Sequence, residues 1–203
     1  MTNSFFHMES IGIIGLGYVG AAIYESFFSL IGEVSILIRD PKAGYNTPYN
    51  EFKRCDGIFV CVPTPRTEDG GCDTSILKDV LSNLKNIGYS GVIISKCTAP
   101  PDDYSKLQAE FPNLVHVPEF LTANNANQDY VNSQFLIIGG KVKAYIKEAE
   151  RIIQISQPNL KTVAMCSIEE AALAKYAINS FLATKVVFMN EIARLEIGRA
   201  HVW

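Results

Sequence analysis

Short apolar runs alternate with helical spacings along most of this chain, and that alternation leaves few folds open. The runs are Ile11–Gly15, Val34–Ile38, Gly57–Val62, Gly91–Ser95, Leu114–Val117 and Phe135–Ile138. Each is four to six residues long and almost wholly apolar, broken only by Ser35, Ser95 and His116. Strands covered on both faces read this way, whereas half-exposed strands alternate. Between them, Val19–Leu30, Thr74–Ile87, Pro101–Phe111 and Lys141–Ser156 carry apolar residues at helical spacing. A doubly wound α/β sheet follows. Pro100-Pro101-Asp102-Asp103 puts prolines and acids where a first helical turn lacks N–H partners. Ser167-Ile168-Glu169-Glu170 is a capping box. It opens a helix running to Leu195, roughly 40 Å long at 1.5 Å per residue. That is too long for another crossover. A boundary is therefore expected near residue 165, between a domain of residues 1–165 and a helical segment of residues 166–195.

The first run leads into Gly15-Leu16-Gly17-Tyr18-Val19-Gly20, a G-x-G-x-x-G string. Such a string is informative only with a strand before it, a helix after it and an acid about 20 residues on. Ile11–Ile14, Val19–Leu30 and Asp40 meet those conditions. Gly15 would allow the tight turn, Gly17 the approach of backbone to a pyrophosphate, and Gly20 close helix–strand packing. The first turn of the helix, with Tyr18 and Val19, then faces the phosphates. Asp40 would accept a bond from a ribose 2′-hydroxyl and repel a 2′-phosphate. The cofactor expected is therefore NAD rather than NADP, with Arg39 acting slightly against that preference. The fold expected is a Rossmann-like doubly wound parallel sheet followed by a long C-terminal helix.

Other classes are disfavoured. A formal net charge of −3 offers no basic surface for nucleic acid or an anionic membrane. No apolar stretch approaches the roughly 18 residues of a membrane span. The opening MTNSFFHMES has no basic segment followed by a long apolar core. Cysteines 55, 61, 72, 97 and 166 are odd in number and form no C-x-x-C, and His7, His116 and His201 are scattered. Neither a disulfide framework nor a metal site is expected, and reduced thiols point to a cytoplasmic location.

Further strings carry a resemblance. They are Val62–Pro65 (VPTP), Asp69–Ser75 (DGGCDTS), Ser95–Pro101 (SKCTAPP), Pro118–Leu121 (PEFL) and Lys175–Glu191 (KYAINSFLATKVVFMNE). With GLGYVG, in this order, they resemble the UDP-glucose/GDP-mannose dehydrogenase family, most closely the UDP-glucose 6-dehydrogenases. The resemblance implies NAD-dependent oxidation of a nucleotide sugar, primary alcohol to carboxylate, with UDP-glucose the leading substrate and a homodimer formed through the long helix. It places Pro63 and Thr64 on the cofactor. It places the Thr98 hydroxyl near cofactor or an ordered water. It makes Glu119 a base or water-positioning group, Lys175 the stabiliser of an oxyanion at the reacting carbon, and Asn179 the holder of a nearby hydroxyl or water. Lys175 and Asn179 share a helix face by their i, i+4 spacing, and Leu182 and Val186 continue it. Cys97 stands where the family has serine and reads as a small buried residue.

Four departures matter. Ala123 occupies the place of a second glutamate after Glu119. The family's nucleophilic cysteine lies in a G-F-G-G-x-C string, and these 203 residues contain none. No nucleotide-sugar-binding domain is recognisable either, so a chain incompetent alone is expected. The ending Glu196–Trp203 (EIGRAHVW) departs from the family and resembles translated sequencing-adapter read-through. Two alternatives stand beside the enzyme: a non-enzymatic NAD-binding dimerising module, and a β-hydroxyacid dehydrogenase relative. PEFL and DGGCDTS speak against the last.

Overall fold

A computed structural model describes residues 10–28, 30, 34–122 and 124–199, with side chains to residue 195. Eight strands form one sheet: β1 (Ser10–Ile14), β2 (Ser35–Asp40), β3 (Tyr45–Asn46), β4 (Gly57–Val60), β5 (Val92–Ser95), β6 (Leu114–His116), β7 (Phe135–Gly139) and β8 (Thr162–Cys166). Their order is β3-β2-β1-β4-β5-β6-β7-β8. β1 pairs in parallel with both β2 and β4, and the parallel run continues through β5 to β6. The strand order turns back at β1, so ligands of such a sheet lie beyond the carboxyl ends of β1 and β4.

Helices α1 (Tyr18–Phe28), α2 (Ser75–Asn86), α3 (Pro101–Glu110), α4 (Ala126–Val131) and α5 (Lys143–Ser156) connect the strands, and α6 (Ile168–Arg199) follows the last. The continuous apolar strands serve two cores, one on each face. Ile11, Ile13 and Phe59 pack with Ile23 and Phe27 of α1 and Ile152 and Ile153 of α5. Ile14, Ile58 and Val60 pack with Leu77, Leu81 and Leu84 of α2, Tyr104 of α3, and Ile168 and Ala172 of α6. Neighbouring strand positions thus feed opposite cores, as the two-residue period requires. Each such fully buried side chain contributes about 1.5–3 kcal/mol from removal of apolar surface.

The expected α/β sheet and long last helix are present. So is the capping box: Glu170 accepts from the Ser167 N–H at 2.8 Å, and Ser167 accepts from the Glu170 N–H at 3.2 Å. Three elements were not anticipated. β3 is two residues of hairpin. β8 is an edge strand with no fully buried residue, so it lacks a continuous apolar signature. α4 is six mostly polar residues anchored by Ala126 and Tyr130. The sheet also departs from a wholly parallel one. β7 runs antiparallel to β6 through a single register pair, His116 with Gly139, and β8 then runs parallel to β7. Ala123, His7, His201 and the end of the atypical tail lie outside the described residues.

Candidate functional site

The glycine string folds as its spacing requires. Gly15 takes φ +94°, left-handed backbone that glycine alone adopts freely. A Cβ on Gly20 would lie 2.0 Å from the Gly15 carbonyl oxygen, so helix and turn touch only because Gly20 has no side chain. At Gly17 an added Cβ would meet nothing within 4 Å, so backbone there opens onto free space. That space is a cleft of about 410 Å³ lined by Gly15, Gly17, Tyr18, Val19, Asp40, Lys42, Cys61, Val62, Pro63, Thr64, Lys96, Cys97, Thr98 and Glu119. The first turn of α1, with its unpaired N–H groups, begins at this cleft.

Asp40 closes β2 at one end. Its carboxylate accepts from the Leu16 N–H at 2.7 Å, the Lys42 N–H at 3.0 Å and the Ala43 N–H at 3.2 Å. The Leu16 bond is the largest reason its carboxyl titrates below the ordinary aspartate value. A carboxylate has about four acceptor positions, so one remains for a ribose hydroxyl. Asp40 therefore also ties the glycine turn to β2. Asp40-Pro41, a capping residue before a proline at the first helical position, signals only the local bonds to Lys42 and Ala43.

Pro63 and Thr64 leave β4, and Thr98 follows β5. The Thr64 hydroxyl donates to the Thr98 carbonyl at 2.5 Å and joins the two loops. It is thus the Thr98 main chain, rather than its hydroxyl, that makes this contact. Beneath them, Ser95 Oγ and the Tyr104 hydroxyl lie 2.7 Å apart, and that hydroxyl donates to the Cys97 carbonyl at 2.6 Å. His116 stacks on Tyr104 at 4.1 Å. Its Nδ1 lies 3.1 Å from the Ser95 carbonyl, which can only accept, so the proton sits on Nδ1. Burial pushes the His116 pKa down to about 3, so the ring is neutral. Cys97 is buried, donates to the Val60 carbonyl, and has its thiol pushed up to about 12 by burial. It is no nucleophile.

Glu119 and Lys175 meet across the chain. Glu119 lies beyond β6 and Lys175 two turns into α6, 56 residues apart, and both are buried. Lys175 Nζ donates to the Glu119 carboxylate at 2.7 Å and also to the Glu119 main-chain carbonyl. The second carboxylate oxygen accepts from the Leu121 N–H at 2.8 Å. Glu119 is therefore not a solvated loop acid, and Lys175 is not an exposed edge residue. The Tyr18 hydroxyl reaches toward Glu119 at 3.5 Å; burial, then the Glu119 charge, raises its pKa. Asn179 is exposed one turn beyond Lys175. Leu182 and Val186 are exposed too.

One residue of the SKCTAPP string was given no task from sequence. Lys96, at the carboxyl end of β5, is 6% exposed. Burial lowers its pKa to about 8. A charge ending a four-residue buried apolar strand was the signal available for it.

An open glycine turn under a helix start, an acid at the end of the next strand and a cleft past the strand-order reversal define a dinucleotide-binding domain of the Rossmann-like class. The chain belongs to the UDP-glucose/GDP-mannose dehydrogenase family: that family's NAD binding domain matches residues 42–157. The cofactor is NAD. A UDP-glucose 6-dehydrogenase of Rickettsia felis is 32% identical over 157 residues, 72% of this chain and 34% of that protein. The solved UDP-glucose dehydrogenase of Pyrobaculum islandicum matches with a TM-score of 0.75 at 22% identity, over 95% of this chain and 54% of that one. A UDP-D-ManNAc dehydrogenase structure from Pyrococcus horikoshii gives 0.75 at 18% identity, over 92% and 53%. At such identities the structures speak for the fold alone. The chain spans about a third of the length of curated relatives such as the Rickettsia enzyme.

Proposed function

We propose that this chain is the oxidant-holding part of a nucleotide-sugar 6-dehydrogenase, with UDP-glucose the leading substrate and the alcohol taken to a carboxylate. The observation that carries this reading is the buried Glu119–Lys175 pair. It joins the wall of the cofactor cleft to the helix that leads out of the domain. NAD supplies the hydride acceptor. Glu119, held by Lys175 and the Leu121 N–H, positions water or takes a proton. The Lys175 ammonium has three donors and spends two on Glu119, which leaves one for an oxyanion at the reacting carbon. Asn179 stands one turn on, on the same helix face, to hold a hydroxyl. Gly15, Gly17, Tyr18, Val19 and Gly20 cradle the pyrophosphate, Asp40 holds the adenosine ribose, and Pro63, Thr64 and Thr98 border the other half.

On this reading residues 1–165 are the NAD domain and residues 166–195 begin a dimerising helical domain. Exposed Phe181, Leu182, Val186, Phe188 and Leu195 on α6 support a homodimer through that helix. Five free thiols fit a cytoplasmic protein. The same exposed apolar helix also supports the second reading, a non-enzymatic NAD-binding dimerising module. The downstream reading frame of the gene separates them. An in-frame G-F-G-G-x-C about 50 residues beyond Lys175 is expected for the enzyme, and a frame without it refutes that reading. The purified 203-residue chain should bind NAD yet make no NADH from UDP-glucose.

A further inference from the structure

Glu119 and Lys96, both lining the cleft, differ in how their charges are met. Glu119 and Lys175 meet each other. Lys96, although 6% exposed, makes no ion pair or side-chain hydrogen bond among the described residues, and its Nζ lies 5.9 Å over the Tyr130 ring. Counted over Glu119, Lys175 and Lys96, the described cluster carries a net charge of +1, with the Glu119 charge facing both lysines. Strand order says which half of the cofactor meets that charge. Asp40 ends β2 and holds the adenosine side, while Lys96 follows β5, three strands away across β1 and β4. At about 4.8 Å per strand this is roughly 14 Å, on the far side of the glycine turn. The nicotinamide half extends in that direction.

We propose that Lys96 sets the redox-state preference of the NAD site: its ammonium disfavours the cationic nicotinamide of NAD⁺ relative to the neutral ring of NADH. The inference rests on the NAD site described above. The pyrophosphate and both riboses are common to the two forms, so their ratio of affinities isolates the ring charge. A site that repels the cation makes the bound cofactor a stronger oxidant, because hydride arrival removes the repulsion. Two unit charges on the order of 6 Å apart under protein-surface screening correspond to about a hundredfold effect on that ratio. The titratable groups facing Lys96 are Cys61 beyond β4, Glu119 and His116 from the β6 region, Tyr130 of α4 and Lys175 of α6. Burial raises the Cys61 thiol and the Tyr130 hydroxyl and keeps His116 neutral, while it brings the Lys96 ammonium down to about 8.

The test is calorimetric titration of the purified chain with NAD⁺ and with NADH. Lys96→Met should narrow the NADH-over-NAD⁺ preference about a hundredfold, chiefly by tightening NAD⁺, and Lys96→Arg should keep it. In the unmodified protein the preference should shrink as pH rises from 6.5 to 9.5, a measurement independent of any variant's folding. A ratio that stays constant with pH, or a Lys96→Met variant that weakens both forms equally, overturns the proposal. Failure of the unmodified chain to bind either form would instead overturn the NAD site, and the proposal with it.

Discussion

In Gly20→Ala the new Cβ would stand 2.0 Å from the Gly15 carbonyl oxygen and 3.1 Å from its carbon. A relaxed carbon–oxygen contact is about 3.3 Å, so α1 and the turn must part by roughly 1.3 Å. Gly15 cannot yield that distance. A Cβ position on it already faces the Cys61 carbonyl oxygen at 2.6 Å, and its φ of +94° is set by the turn. Overpacking of this kind costs about 1–3 kcal/mol or more. Gly17→Ala is the contrasting case, with nothing within 4 Å of its Cβ and no left-handed φ. It should leave stability unchanged or raise it by about 0.4–1 kcal/mol through the unfolded chain. Its methyl would instead occupy the space that the proposed function gives to the pyrophosphate. Loss of one charged hydrogen bond there, about 1.5–3 kcal/mol, weakens NAD binding roughly 10- to 100-fold. Urea denaturation followed by circular dichroism reads the first effect, and calorimetric titration with NAD reads the second. A Gly20→Ala protein with an unchanged urea midpoint would refute the packing argument. A Gly17→Ala protein with undiminished NAD affinity would refute the pyrophosphate assignment.

Lys175→Met leaves Glu119 buried without its cation and should cost about 3–5 kcal/mol in urea denaturation, with Glu119→Gln/Lys175→Met recovering most of it. An additive double variant would show that the two do not act as a pair. His116 is held neutral with a folded pKa of about 3, whereas the unfolded chain takes up that proton near 6.5. Stability should therefore be fully present above about pH 6.5 and fall toward pH 3 by up to about 1.4 kcal/mol per unit, with His116→Gln flattening the slope. Unmodified protein should bind NAD more tightly than NADP in calorimetry, and Asp40→Ala should erase that preference; tighter NADP binding by the unmodified chain counts against the Asp40 assignment. Phe181→Glu and Phe188→Glu on α6 should shift sedimentation toward monomer, and an unmodified chain that stays monomeric at high concentration would dispose of the homodimer.

Much of the fold was legible because its signals are local. β1, β4 and β5 are continuous apolar runs, and the Ser167–Glu170 box marks the start of α6 within four residues. β8 and α4 were not legible for the opposite reason. β8 buries little and α4 buries two side chains, so neither leaves a periodic apolar trace. The reversal of β7 against β6 was also hidden, since a buried strand reads alike in either direction.

The same division runs through the site. By itself the sequence determined the glycine turn, the helix that follows it and the acid ending β2. Those features depend on backbone freedom, hydrophobic period and residues close along the chain. Only the tertiary structure decided that Glu119 and Lys175, 56 residues apart, share one buried ion pair. It alone showed Asp40 bound to the Leu16 N–H, and Lys96 buried without an ion pair among the described residues. Burial and charge balance are properties of what surrounds a residue in space. No spacing along the chain encodes the desolvation that turns an ordinary lysine into a charge facing the cofactor.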